Sequence, residues 1–220
     1  MPLGTHASRF SYPVFLDLDD MDVLVVGGGR IGARKAAGLA AAGARVRLVA
    51  TEISQHVRDL PAAEACAEVI EADFADHHLD GVRLVITATG DHDVDHRISL
   101  AARSQGIWTN AADQPVDCEF ILPAIARSGR VTAAISSDGT SPALAKWVRD
   151  QVAVLLDERI AEAAEVLAGE RRAIQQGGGS TEDVDWRPRL HELGLCERAL
   201  TSWSPEPRNP DRSLHRSRDE

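Results

Sequence analysis

Cysteine is scarce in this 220-residue chain: Cys66, Cys118 and Cys196 make three, an odd number, and they lie far apart. No CxxC pair occurs. That excludes a disulfide framework and a zinc knuckle and agrees with a reducing compartment. Lysine is scarcer still, with only Lys35 and Lys146. Positive charge as a whole is outweighed, 24 Lys+Arg against 34 Asp+Glu, for a formal charge of −10. This balance speaks against a general nucleic-acid or membrane-surface binder, and leaves a local basic pocket open. No apolar run approaches the ~18 residues of a membrane span. The first residues, MPLGTHASRFSYP, lack the apolar core of a signal peptide, so a cytoplasmic location is expected. No internal repeat is seen. What is present is an ordinary globular mixture, 44% hydrophobic and 26% charged, long enough to bury a core without staples.

Between residues 10 and 113, strand and helix signals alternate. Val23–Val26, Val46–Ala50, Glu68–Glu71, Leu84–Ala88 and Ile107–Ala111 read as strands. Ile31–Ala42 and Asp93–Ser104 read as helices, each closed by a glycine, Gly43 and Gly106. A short helix spans Ser54–Leu60 before Pro61. Such alternation predicts an α/β fold with a doubly wound parallel sheet. After Pro115 the pattern changes. Phe120–Leu122 and Val131–Ser136 read as strands around a Ser128-Gly129 turn. Ser141-Pro142 opens a helix over 143–156, with Ser as N-cap and Pro in its first turn. Arg159–Gln176 is a second long helix, Gly177–Gly179 a flexible break, and Arg187–Leu200 a further helical piece. Residues 202–220 have the composition of a disordered tail.

Gly27-Gly28-Gly29-Arg30-Ile31-Gly32 fits G-x-G-x-x-G, directly after a strand and directly before a helix. In that context the pattern is a dinucleotide-binding, Rossmann-type turn. Gly27 permits the tight turn, Gly29 lets the backbone approach a pyrophosphate, and Gly32 lets the helix pack on the strand. The free N–H groups at the helix start, around Arg30 and Ile31, then favour phosphate. An acid for the ribose is expected ~20 residues on, near Ala50. Glu52 and the hydroxyl of Thr51 are the nearest candidates. No arginine sits immediately past that strand, and the choice between NAD and NADP stays open. Thr89, at the end of the fourth strand, belongs to the same sheet edge.

Several segments together carry a family resemblance. They are Tyr12-Pro13-Val14-Phe15-Leu16, the triglycine running on to Arg34-Lys35, Asn110-Ala111-Ala112-Asp113 with Pro115, Cys118-Glu119-Phe120-Ile121 with Pro123-Ala124, and Ser136-Ser137-Asp138-Gly139-Thr140-Ser141-Pro142-Ala143-Leu144-Ala145. Over about residues 12–156 the chain resembles the precorrin-2 dehydrogenase/sirohydrochlorin ferrochelatase family, the N-terminal part of siroheme synthase. With no methyltransferase segment after it, it is similar to the stand-alone form. The resemblance implies an NAD-binding domain (1–115), a small α+β dimerisation region (116–150), a helical C-terminal domain (151–201) and a homodimer. It implies oxidation of precorrin-2 to sirohydrochlorin with NAD, on the way to siroheme or cobalamin. It also implies that Asp113 is the key acid/base residue. In this family the loop at 136–141 usually has two glycines where this chain has Asp138-Gly139, and Asn is common where Asp95 stands.

The residues agree with that chemistry. Ligands of open α/β sheets bind outside the C-terminal ends of the strands, where Gly27–Gly29, Thr89 and Asp113 fall. Removing hydrogen with NAD releases a hydride and a proton, and Asp113 is the candidate base. Read without the resemblance, Asp113 is a turn aspartate before Pro115. A substrate with eight carboxylates needs a basic cleft. Arg127, Arg130, Lys146 and Arg149 are candidates, with the hydroxyls of Ser136, Ser137, Thr140 and Ser141 beside a helix start. An ordinary solvated face is the plainer reading of the charged residues.

Asp91, Asp93 and Asp95 imitate a calcium loop, but His96 and Ala102 stand where Gly and Glu are needed. Asp93 reads as a helix cap, His77-His78 as solvated, and Arg171-Arg172 as the polar side of a packed helix. His92 and His96, at i and i+4, supply at most two metal ligands. Two alternatives stand beside the dehydrogenase: a bifunctional enzyme that also inserts ferrous or cobaltous ion, and a non-catalytic dinucleotide-binding module.

Overall fold

The computed structural model describes residues 9–182 and 184–195. The sequence expectations for 196–200 and for the tail at 202–220 lie outside the described residues. Two compact units emerge. One takes the chain up to Leu122 and also Ser136–Ser141; the other takes Pro123–Ile135 and the chain from Pro142 onward.

The first unit is a five-stranded parallel sheet in the order β3-β2-β1-β4-β5. Its strands are β1 (Asp22–Val26), β2 (Arg45–Ala50), β3 (Glu68–Glu71), β4 (Leu84–Thr87) and β5 (Trp108–Ala111). Apolar runs in β1 and β4 are buried on both faces, as parallel strands must be when helices cover the sheet on two sides. Val23, Val25, Val46, Leu48, Leu84 and Ile86 pack against Ala33, Ala36 and Leu39 of α1 (Arg30–Ala40) and Val57 of α2 (Gln55–Arg58). Leu24, Val26, Val49 and Val85 face the other way, against Ile98 and Ala102 of α3 (His92–Ser104). Each fully buried Leu or Ile contributes ~1.5–3 kcal/mol of transfer free energy.

Gly43, at φ +93°, closes α1: its own N–H donates to Ala40 O and that of Ala44 to Leu39 O. This is the left-handed helix end expected of glycine. Gly106, at φ +72°, closes α3 with the same pair of bonds, to Arg103 O and from Ile107 to Ala102 O.

In the second unit, β6 (Ala124–Ser128) and β7 (Val131–Ile135) form an antiparallel hairpin. Helices α4 (Pro142–Leu155), α5 (Glu158–Gln176) and α6 (Arg187–Glu192) follow. A Cβ on Gly129 would stand 2.9 Å from that of Ala161, so the hairpin turn lies directly on α5.

Four expectations need correction. Phe120–Leu122 is not a strand; β6 starts beyond Pro123. The reason is local: Asn110 Nδ2 donates to Phe120 O (2.9 Å) and Glu119 N to Thr109 O (2.9 Å), so this segment is tied to β5 as a strap. The cap of α3 is Asp91, not Asp93: its carboxylate accepts from the N–H groups of Asp93 and Val94. Helix α6 ends at Glu192 and does not continue through the last described residue, Leu195, being stopped by Gly194 at φ +76°. His78 is not solvated. It is buried in a 3-10 turn, and its Nδ1 accepts from Ala75 N at 3.0 Å.

That last finding carries a pH dependence. Burial pushes the His78 imidazole below its ordinary value; His77 and Arg47 add to the shift and Glu68 opposes it. The unfolded chain therefore holds this proton more tightly. The stability involved is present in full above the ordinary histidine range, and is lost as pH falls through that range toward the folded value. His78→Asn keeps an acceptor for Ala75 N–H and removes the titration. Thermal melts between about pH 7 and about pH 5 are expected to show a shallower fall in Tm for His78→Asn than for wild type. Equal slopes would refute the assignment.

Candidate active site

The sheet brings the sequence-chosen residues of the first unit to one edge. Pairing puts Val26 level with Val49 on one side and Thr87 on the other, and Thr87 level with Ala111. Three bonds extend the ladder by one rung: Gly27 N to Val49 O, Ala88 N to Val26 O, and Ala112 N to Thr87 O. Gly28, Thr51, Thr89 and Asp113 are thus each two residues past the same rung. The order 2-1-4-5 puts β5 two strand spacings, about 10 Å, from β1. The helices after β1 and β4 lie on opposite faces, so the edge between these strands is the switch point where ligands of such sheets bind.

The glycines differ in what they meet. A Cβ on Gly27 would stand 2.2 Å from Ala88 O, and Gly27 has φ +126°. On Gly32 it would stand 1.9 Å from Gly27 O, and on Gly28 2.1 Å from Glu52 O. These three are required by the protein's own backbone. Around Gly29 nothing lies within 4 Å of such an atom. Gly29 is also the N-cap of α1 and carries no side chain to satisfy the first-turn N–H groups at Arg30, Ile31 and Gly32. Open space at Gly29 beside these donors is what a pyrophosphate needs. The motif reading gave no role to Gly28. Its function depends on the β2–α2 connection, where Ser54 N donates to Gly28 O at 3.1 Å, and short-range spacing carries no sign of that contact. Thr51 and Glu52 are exposed on this same connection.

Thr89 is held by a residue outside the motif. Asp95 is buried at 2% exposure, and its Oδ1 accepts from Thr89 Oγ1 (2.9 Å) and Thr89 N (3.2 Å). Asp95 is thus a buried anchor of the β4–α3 turn.

Asp113 is exposed and left-handed, at φ +60°. Aspartate tolerates this conformation better than most residues. The strap after it is heavily bonded. Asp117, buried, accepts from His96 Nδ1 (2.8 Å), and Glu119 accepts from Thr109 N (2.9 Å) and lies 3.3 Å from Arg103 Nε. His96 is therefore committed to Asp117, and among the described residues no group of three or more His, Cys, Asp or Glu could hold a metal ion. Lys35 of α1 is half-buried; desolvation, then Arg34, pushes its ammonium below its ordinary value, while the charges of Asp113 and Cys118 oppose the shift.

The N-terminal segment contributes contacts that no motif announced. Arg9 donates to Pro115 O (2.7 Å), Val116 O (3.2 Å) and Cys118 O (2.8 Å). Its neighbour Phe10 donates its N–H to Asp138 Oδ1 at 3.2 Å. Asp138 and Gly139 have φ +53° and +75°, and Thr140 N donates to Ser137 O. Two successive left-handed residues in a turn explain why glycines suit this loop, and aspartate is among the few replacements that fit. Ser136 Oγ accepts from Asp138 N, Ser137 Oγ donates to Ser141 O and accepts from Ser141 N, and Thr140 Oγ1 donates to Ser137 O. These hydroxyls first of all build the loop.

The basic candidates belong to the second unit. Arg127 and Lys146 are exposed. Arg149 bonds its neighbour Asp150, and Arg130 pairs with Glu165 at 2.7 Å.

Sheet order, glycine cradle and helix start define a Rossmann-type dinucleotide-binding protein. The comparisons narrow this. The family described as "Putative NAD(P)-binding" matches residues 14–124. Siroheme synthase of Nitrosomonas europaea is 38% identical over 164 residues, 74% of this chain and 34% of the relative. That of Zymomonas mobilis is 36% identical over 180 residues, 82% of this chain and 35% of the relative. The solved structure of SirC, precorrin-2 dehydrogenase, matches with a TM-score of 0.63 at 28% identity, covering 87% of this chain and 92% of that one. This chain belongs to the family described as putative NAD(P)-binding, and over most of its length it is similar to siroheme synthases and to a precorrin-2 dehydrogenase. It spans about a third of the length of the siroheme synthases it matches. No helix among the described residues is long and apolar enough to cross a membrane.

Proposed function

We propose that this protein oxidises precorrin-2 to sirohydrochlorin with NAD, using Asp113 as proton acceptor. The observation that carries the reading is the level end of β1, β4 and β5, with the glycine cradle at one strand and a carboxylate two strands away. The likeness to a precorrin-2 dehydrogenase over most of both chains supports it.

Bound NAD supplies the hydride acceptor. Residues 27–32 would hold its phosphates on backbone N–H groups, and Thr51 and Glu52 of the β2–α2 connection would be the residues to bond its ribose. Asp113 takes the proton released as the hydride leaves, so two hydrogens depart the tetrapyrrole as a hydride and a proton. The loop at 136–141 is proposed to bind substrate carboxylates, and by their charge Arg127, Lys146 and Arg149 are proposed as carboxylate contacts too.

The test is anaerobic. Precorrin-2, NAD and protein are mixed, and sirohydrochlorin and NADH are followed together. Equimolar appearance of both is expected; no turnover by folded protein that binds NAD would leave the non-catalytic module as the better account.

The second unit is proposed as the homodimer contact. Ile125, Trp147 and Val154 are 42%, 54% and 77% exposed, and among the described residues its buried hydrophobics are three alanines, Ala126, Ala145 and Ala163. A small unit with such a face is expected to complete its core on a second copy. Light scattering is expected to give twice the chain mass, and Trp147→Glu to shift it toward the monomer; a monomeric wild type contradicts the proposal.

A further inference from the structure

We propose that Asn110 and Cys118 act as one positioning pair that aims the Asp113 carboxylate, without touching substrate. The proposal rests on Asp113 being the proton acceptor.

Residues 111–114 form a tight turn, closed by Gln114 N donating to Ala111 O at 3.3 Å. Asp113 occupies its third position with a positive φ, a site that ordinarily favours glycine or asparagine. The turn is therefore held by its surroundings more than by its own preference. The Cys118 thiol, buried at 3% exposure, provides the hold. Its Sγ lies 3.3 Å from Ala111 O and 3.3 Å from Gln114 O, the first and last carbonyls of the turn. Burial also pushes this thiol up, which keeps the S–H needed as donor. Behind the sulfur stands Asn110, 7% exposed, whose Nδ2 reaches Cys118 Sγ at 3.5 Å while donating to Phe120 O at 2.9 Å. Asn110 thus fixes the sulfur, and the sulfur spans the turn.

The rest of the strap is secured elsewhere, by Thr109–Glu119, His96–Asp117 and the Arg9 contacts. Loss of the thiol should loosen the Asp113 turn and leave the strap and the glycine cradle in place. A carboxylate that wanders by ~1 Å from its working position costs up to ~100-fold in rate.

The experiment compares Cys118→Val, Cys118→Ser, Asn110→Ala and the double variant Asn110→Ala/Cys118→Val. Readouts are kcat, the Kd for NAD, and amide hydrogen exchange over 112–114. Cys118→Val is expected to lower kcat about tenfold, with NAD affinity within about twofold of wild type and exchange in the turn about tenfold faster. Cys118→Ser, whose hydroxyl donates to the same carbonyls, is expected to recover most of both losses. The double variant is expected to be little worse than the poorer single one, as members of one unit are not additive. Unchanged exchange at 112–114 in Cys118→Val overturns the pair, as does wild-type kcat beside an active wild type. If Cys118→Val does not fold, Asn110→Ala carries the same two criteria. An inactive wild type refutes the dehydrogenase reading instead, and the exchange result still decides whether the pair holds the turn.

Discussion

Asp113→Asn is expected to lower turnover of precorrin-2 by ~1,000-fold, within the range a general base contributes, and to leave NAD affinity unchanged. Asparagine is the informative replacement because it keeps both the shape of the side chain and the left-handed backbone at φ +60°. Alanine at this position adds about 1 kcal/mol of backbone strain, which mixes loss of the carboxylate with a shift of the turn. Nothing in the glycine cradle depends on Asp113, so a titration with NAD should not distinguish variant from wild type. The measurement is kcat in the anaerobic assay beside that titration. Full activity in Asp113→Asn would remove the proton acceptor from the mechanism.

The second large effect separates two roles within one motif. Gly32→Ala puts a Cβ 1.9 Å from Gly27 O, a backbone atom that cannot turn aside. Helix α1 must then move off the sheet, at a cost of ~3 kcal/mol, or a Tm lower by roughly 6–12 °C. Gly29→Ala meets no protein atom within 4 Å, and Gly29 has φ −82°, which alanine adopts freely. Its Tm is expected to stay at the wild-type value. Its added methyl instead occupies the space left for the pyrophosphate, lowering NAD affinity about tenfold or more, equivalent to at least ~1.4 kcal/mol. A calorimetric melt and an NAD titration on both variants check the pair. If Gly29→Ala bound NAD as wild type does, the phosphates would not rest on that loop.

Much of the first unit was legible in the chain because its signals are local. Val23–Val26 and Leu84–Ile86 are continuous apolar runs, and a strand covered on both faces requires such a run. Gly43 and Gly106 sit directly after helical stretches and supply the positive φ that ends them. The strap at 117–120 was misread because Phe120-Ile121-Leu122 carries the same apolar signal as a strand. Its actual partner, the Asn110 side chain, lies ten residues away, and no pattern of apolar residues encodes a side-chain bond to a carbonyl. The expectation of a solvated pair holds for His77, which is exposed, and fails for His78, a buried residue whose carbonyl accepts from Arg47 of β2, a contact between residues 31 positions apart. Asp93, the expected cap, lies inside α3; the extended backbone at Asp91, φ −112° and ψ 112°, places the cap two residues earlier.

Element order, the parallel α/β class and the position of the dinucleotide turn followed from residue types and short spacings, because periodicity and glycine's freedom act over a few neighbouring residues. The contacts that give the edge its shape came from elsewhere in the fold: Gly28 against Glu52, Asp95 beneath Thr89, Cys118 within the Asp113 turn, and Arg9 on the strap. Each joins residues whose meeting depends on how strands pair and helices pack. Hydrogen bonds of about 3 Å are decided by that packing, and a linear chain specifies it only through the sum of all its burial.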